Sequence, residues 1–133
     1  MPGVLTHLSV ALAGFVLCYF IFKNWKYGIA FAFGHLVPDL IDFGLCAIIY
    51  RTLNPSEIMT KPLFSPLAML GHTSWHWIVL GILVFAIIFI LFKLKKISKK
   101  NFVFFSLLVL IFLLGVSFHL LLDKLIIEKS YWI

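Results

Sequence analysis

The stretch Gly34-His35-Leu36-Val37-Pro38-Asp39-Leu40-Ile41-Asp42 places one imidazole and two carboxylates inside a segment that is otherwise apolar enough to cross a membrane. An ionised Asp near the centre of a bilayer costs about 2.5 to 3.5 kcal/mol on insertion scales, so acids at that depth usually face a bundle interior, a cavity or an ion. Asp39 and Asp42 are therefore the first candidates for a functional site.

The composition around this stretch indicates an integral membrane protein. The chain has 133 residues, of which 63% are hydrophobic and 12% are charged, and its mean hydropathy is +1.12. A soluble domain of this size could not bury so much apolar surface, so we expect one membrane domain. Cys18 and Cys46 lie within apolar runs and lack metal-binding spacing, which favours a packing role.

Four apolar runs are long enough to span a bilayer as helices of about 20 residues. They predict an all-α bundle of four transmembrane helices, with spans near residues 4–22, 27–50, 71–92 and 102–122. Pro38 predicts an interruption of the second span, because proline removes a backbone donor and disturbs the preceding turn. The first run lacks a basic leader, so we expect a retained span and not a signal peptide.

The basic residues predict the orientation of these spans. The formal net charge is +6, and most of it lies in the two connectors on one side of the bundle: Lys23, Lys26, Lys93, Lys95, Lys96, Lys99 and Lys100. The side richer in lysine should be cytoplasmic. We therefore expect a multi-pass protein of the inner or plasma membrane, with both termini and the site outside the cytoplasm, and no nucleic-acid partner.

Polar residues of the spans fall at similar depths. A rise of 1.5 Å per residue from the cytoplasmic ends places one side chain from each span at about 22 to 26 Å: His7, Asp42, His76 and His119. The same count gives about 30 Å for His72 and Asp123, about 18 Å for Asp39 and about 12 Å for His35. This pattern predicts one polar site in the outer half of the bundle, with His35 as the outlier.

Local spacing indicates metal-ligand chemistry. His72 and His76 are four residues apart, as are His119 and Asp123, so each pair should share a helix face. Sets of His and carboxylate suit Zn²⁺, or Mn²⁺ and Fe²⁺ where acids dominate. The predicted metal ligands are His7, Asp39, Asp42, His72, His119 and Asp123, with His76 and His35 as further candidates. Six ligands are also compatible with two metal ions.

Four motifs carry a family resemblance: Thr6-His7, the stretch of residues 34–42, Gly71-His72-Thr73-Ser74 and His119-Leu120-Leu121-Leu122-Asp123. Together they resemble the prokaryotic membrane-bound metal-dependent hydrolase family, which includes LexA-regulated inner-membrane proteins and is distantly similar to zinc-dependent phospholipases C. The resemblance implies metal-assisted phosphoester hydrolysis. The chain departs from the pattern in carrying His35 where a small residue is usual, and in lacking a basic His-Arg-Gly lead before the third motif.

The leading hypothesis is a membrane-embedded hydrolase that uses a metal-activated water against a phosphoester of a lipid or other amphiphile. Asp42, and next Asp39, would be the catalytic carboxylates. A metal-ion or proton transporter would also place acids and histidines inside a bundle, but it needs a polar path on the cytoplasmic side of His35. A haem protein ligated by a pair such as His76 and His119 leaves the acids unexplained. A purely structural membrane protein is the remaining alternative.

Overall fold

The structure is a computed structural model that describes residues 3–126. All regular structure in this range is helical. In chain order the elements are α1 (Val4–Phe22), α2 (Trp25–Asp39), a π-helical segment (Leu40–Gly44), α3 (Leu45–Tyr50), α4 (Pro55–Ile58), α5 (Phe64–His72), α6 (Ser74–Lys93) and α7 (Lys99–Leu125). The predicted location of the two chain termini falls on residues outside the described range.

The all-α, four-span architecture predicted from hydropathy is confirmed. Helices over Val4–Phe22, Trp25–Tyr50, Ser74–Lys93 and Lys99–Leu125 are long and apolar enough to cross a membrane. The second of these is composite, because α2, the π segment and α3 follow one another without a break. The α-helical pattern is interrupted just after Pro38, as predicted, but the path stays helical and changes its pitch over Leu40–Gly44.

The third span begins three residues later than predicted. Thr73 is extended, with φ −90° and ψ 110°, and separates the end of α5 from the start of α6. Gly71 and His72 therefore belong to a separate helix and not to the third span. The second and fourth spans are longer than predicted, since Asn24 and Ser98 accept hydrogen bonds from the first-turn amides and start these helices early.

Two glycines let α2 and α7 approach closely. A Cβ on Gly34 would overlap the carbonyl oxygen of Phe112, and a Cβ on Gly115 would overlap the carbonyl oxygen of Phe31. Small residues at such positions permit backbone contact between membrane helices, where dispersion forces and not water exclusion drive association. The pair α2 and α7 therefore forms the centre of the bundle.

The short helix α4 is tied to the preceding loop by a polar network. Lys61 Nζ lies 2.8 Å from Glu57 Oε1, and the Thr52 hydroxyl donates to Glu57 Oε2 at 2.8 Å. The hydrogen bond from Lys61, and next that from Thr52, lowers the pKa of the exposed Glu57 carboxyl. These contacts hold α4 against the residues on either side of it, after the end of the second span.

Candidate metal centre

The structure brings seven of the eight candidate side chains into one cluster. They come from α1, α2, the π segment, α5 and α7, in the order His7, His35, Asp39, Asp42, His72, His119 and Asp123. The imidazoles of His7, His35 and His119 and the carboxylate of Asp42 are buried. The structure thus brings these side chains together at one place inside the bundle, as the sequence predicts.

The centre of the cluster is a pair of imidazole nitrogens flanked by two carboxylates. His72 Nε2 and His119 Nε2 lie 3.2 Å apart. Asp39 Oδ1 is 3.6 Å from the first nitrogen and 3.5 Å from the second. Asp123 Oδ2 is 3.1 Å and 3.2 Å from the same two atoms. Each carboxylate therefore completes a triangle of ligand atoms with the two histidines.

These triangles have the size that a tetrahedral metal ion requires. Ligand atoms about 2.0 to 2.1 Å from zinc at tetrahedral angles lie about 3.3 to 3.4 Å from one another. The observed edges run from 3.1 to 3.6 Å. Asp39, His72 and His119 thus form a group that could hold an ion, and the same spacing includes Asp123.

Unsatisfied buried atoms support the same interpretation. Both carboxylate oxygens of Asp123 are buried without a hydrogen-bond partner. The imidazole contacts of Asp123, at 3.1 to 3.4 Å, therefore have the distance of hydrogen bonds but not their geometry. Buried polar atoms are normally paired, so unpaired carboxylate oxygens beside two imidazole nitrogens are a donor set that fits a cation.

Asp42 lies beside this centre and not within it. Asp42 Oδ2 is 3.4 Å from His72 Nδ1, the ring nitrogen opposite the one that faces His119. Asp42 Oδ1 accepts the backbone N–H of Phe43 at 2.5 Å. The sequence predicts Asp42 as a metal ligand and as the first catalytic carboxylate, whereas the structure places it at the other nitrogen of the His72 ring. The two facing atoms form no hydrogen bond, but a carboxylate at this position can orient a metal-binding histidine.

His7 and His35 extend the cluster on its other side. His7 Nε2 lies 3.4 Å from Asp123 Oδ1, while His7 Nδ1 lies 3.3 Å from His35 Nε2. His35 Nδ1 is 3.3 Å from the carbonyl oxygen of Gly115. With His119 these two histidines form a second group that could hold an ion. His35, the outlier in depth and a further candidate ligand, therefore belongs to the cluster.

His76 is the candidate that stays outside the cluster. It is exposed on α6, and its Nδ1 lies 3.2 Å from the carbonyl oxygen of Leu70. The break at Thr73 puts His72 and His76 on different helices, so the predicted shared face does not exist. The indole of Trp77 donates to the carbonyl oxygen of Gly71 at 2.6 Å and ties α6 to α5. This contact helps to hold His72 at the centre.

The chain matches no protein-family model, and no curated protein or solved structure is significantly similar to it. The hydrolase resemblance of the four motifs therefore stays a prediction. What the site does has to be argued from its donor atoms and their surroundings.

Proposed function

We propose that this protein is a membrane-embedded, metal-dependent hydrolase that acts on a phosphoester of a lipid or other amphiphile. The observation that carries the proposal is the triangle of His72 Nε2, His119 Nε2 and Asp123 Oδ2, with edges of 3.1 to 3.2 Å. Zn²⁺ fits this mixed nitrogen and oxygen set best, and Mn²⁺ or Fe²⁺ would suit it if both carboxylates bind.

The residues of the cluster would have three roles: to bind the metal ion, to accept a proton and to orient a ligand. His72 and His119, with Asp123 or Asp39, would hold the ion. A bound divalent ion lowers the pKa of water towards about 7 and polarises a phosphoryl oxygen. Asp39 is the more accessible of the two flanking carboxylates, with its side chain 29% exposed against 11% for Asp123. It is therefore the better placed group to accept a proton, and Asp42 is placed to orient His72.

The surroundings of the site favour hydrolysis over transport. Between the cluster and the lysine-rich connectors the bundle is filled by buried apolar side chains, among them Tyr27, Phe31 and Ile111. The partly buried Phe104, Leu107 and Leu108 pack against them. An ion moving through this layer would lose its polar ligands, which transport sites normally supply along a path. A metal site without a polar path towards the lysine-rich connectors suits hydrolysis better than ion transport.

Metal analysis of the detergent-purified protein tests the proposal. We expect near-stoichiometric zinc, manganese or iron in the wild type, its loss in His119→Gln, and its retention in His76→Gln, the matched control on an exposed imidazole. The loaded protein should then release phosphate from a small phosphoester such as butyl phosphate. Absence of metal after reconstitution would refute the metal centre. Zinc uptake by proteoliposomes without phosphoester cleavage would instead support transport.

A further inference from the structure

A cavity of about 320 Å³ ends at the metal centre. Its polar wall consists of His7, Asp39 and Asp123, and every other lining residue is apolar. The apolar residues come from α1, from the composite second span and from the connection through α4. The cavity thus joins the only polar cluster described inside the bundle of residues 3–126 to a hydrophobic space.

The cavity is open between α1 and the π segment and only partly covered at the α4 end. Leu8 and Leu40 line it and are 47% and 49% exposed, so the surface between α1 and the π segment is accessible there. At the α4 end, Pro55 and Ile58 are buried, whereas Leu53 beside them is 79% exposed. Because these helices span the membrane, the open side faces lipid hydrocarbon. An occupant would enter from the bilayer with an apolar body and reach the cluster with a polar end.

We propose that this cavity binds the aliphatic chain of a single-chain amphiphile whose phosphate head reaches the metal centre. The identity of the head group rests on the proposed function; the chain site rests on the cavity itself. At about 30 Å³ per small group, the cavity holds roughly ten methylenes of one chain. It has no volume for a second chain, so a diacyl lipid would have to leave one of its chains outside.

The proposal predicts where the aliphatic chain lies. An occupant that enters from the bilayer exchanges one apolar surrounding for another, so each methylene adds far less than the roughly fourfold gain of a transfer from water. A photoreactive group on the chain should therefore lie in the cavity, whereas it would lie in the detergent or bilayer if only the head group were bound.

The experiment uses the full-length, zinc-loaded protein in nanodiscs and a photoreactive dodecyl phosphate with a diazirine on its chain. Crosslinks should map to α1 and the π segment, and an excess of unlabelled dodecyl phosphate should remove them. Ala47→Phe fills the cavity and should weaken probe binding more than tenfold. Ala86→Phe makes the same change at an exposed position of α6 and should leave it unaltered.

The outcomes separate this inference from the proposed function. Zinc content and cleavage of butyl phosphate should survive in Ala47→Phe, since neither needs the chain site. If this variant fails to fold, Leu8→Trp narrows the opening and should also weaken probe binding. Crosslinks outside the cavity, crosslinks undiminished in Ala47→Phe, or equal displacement by a diacyl phosphatidate would overturn the chain site. Crosslinking in the cavity without any phosphoester cleavage would refute the hydrolase and support the chain site.

Discussion

Replacing Gly115 by alanine tests whether backbone contact between α2 and α7 builds the site. The added Cβ would lie 2.8 Å from the His35 amide nitrogen and still closer to the Phe31 carbonyl oxygen. Ordinary contacts of carbon lie near 3.5 to 4.0 Å, so the helices must separate by roughly 1 Å. Such overpacking costs about 1 to 3 kcal/mol, and the higher helix propensity of alanine returns about 1 kcal/mol. The net loss is then about 0 to 2 kcal/mol, and we expect its upper end, up to roughly 30-fold in the folding equilibrium, because the new atom meets backbone and not a flexible side chain.

Reversible unfolding in mixed micelles, followed by far-UV circular dichroism, measures this loss. Gly44→Ala is the matched control, because its Cβ would meet only the Leu40 side chain and the Asp39 carbonyl oxygen, at 3.4 Å or more. It should be neutral or slightly stabilising. Gly115→Ala should also weaken zinc binding, since His35 shifts with α2. A Gly115→Ala protein as stable as Gly44→Ala would refute the close approach of the two helices.

Three further predictions concern the residues that support the site. Asp42→Asn should weaken zinc binding by about 10- to 100-fold without abolishing it, because the outer carboxylate orients His72 and does not bind the ion; competition with a chromophoric chelator measures this. Trp77→Phe removes the hydrogen bond to Gly71 and should lower the free energy of unfolding by about 1 kcal/mol in the same micelle titration. Glu57 has a lowered pKa, so its stabilising contribution is complete above its ordinary pKa and is lost as the pH falls through the lowered value. Glu57→Gln should therefore speed hydrogen exchange in α4 at neutral pH, whereas acidifying the wild type to pH 5 should not.

Hydropathy predicted the four spans because bilayer thickness fixes how many apolar residues a helix needs. The start of the third span was wrong because hydropathy does not register a single extended residue. Thr73 interrupts an apolar region without changing its composition, and it separates His72 from His76. The sequence therefore placed both histidines on one helix, whereas only the first contacts the cluster.

Depth along the helices was a useful but incomplete guide to the site. It grouped His7, Asp42 and His119 correctly, since antiparallel neighbours bring residues of equal depth to one level. It included His76, which lies at the surface, because depth says nothing about lateral position. It set His35 apart because a count along the helix axis leaves out helix packing and side-chain length. His35 lies where α2 meets α7 at Gly115, so its ring reaches the cluster from the middle of the bundle. Such a position depends on a tertiary contact between residues that are 80 apart in sequence.

The same stretch that identifies the site also distinguishes the roles of its two acids. Residues three apart on a helix lie on one face and are separated by about 4.5 Å along its axis. His72 from α5 fits between them, with Nε2 3.6 Å from Asp39 and Nδ1 3.4 Å from Asp42. A neutral imidazole carries its proton on one nitrogen only, so a carboxylate at Nδ1 favours the tautomer that leaves the Nε2 lone pair free. The buried Asp42 and the partly exposed Asp39 thus lie at opposite nitrogens of one ring, which suits the first to orient His72 and leaves the second at the metal-facing nitrogen.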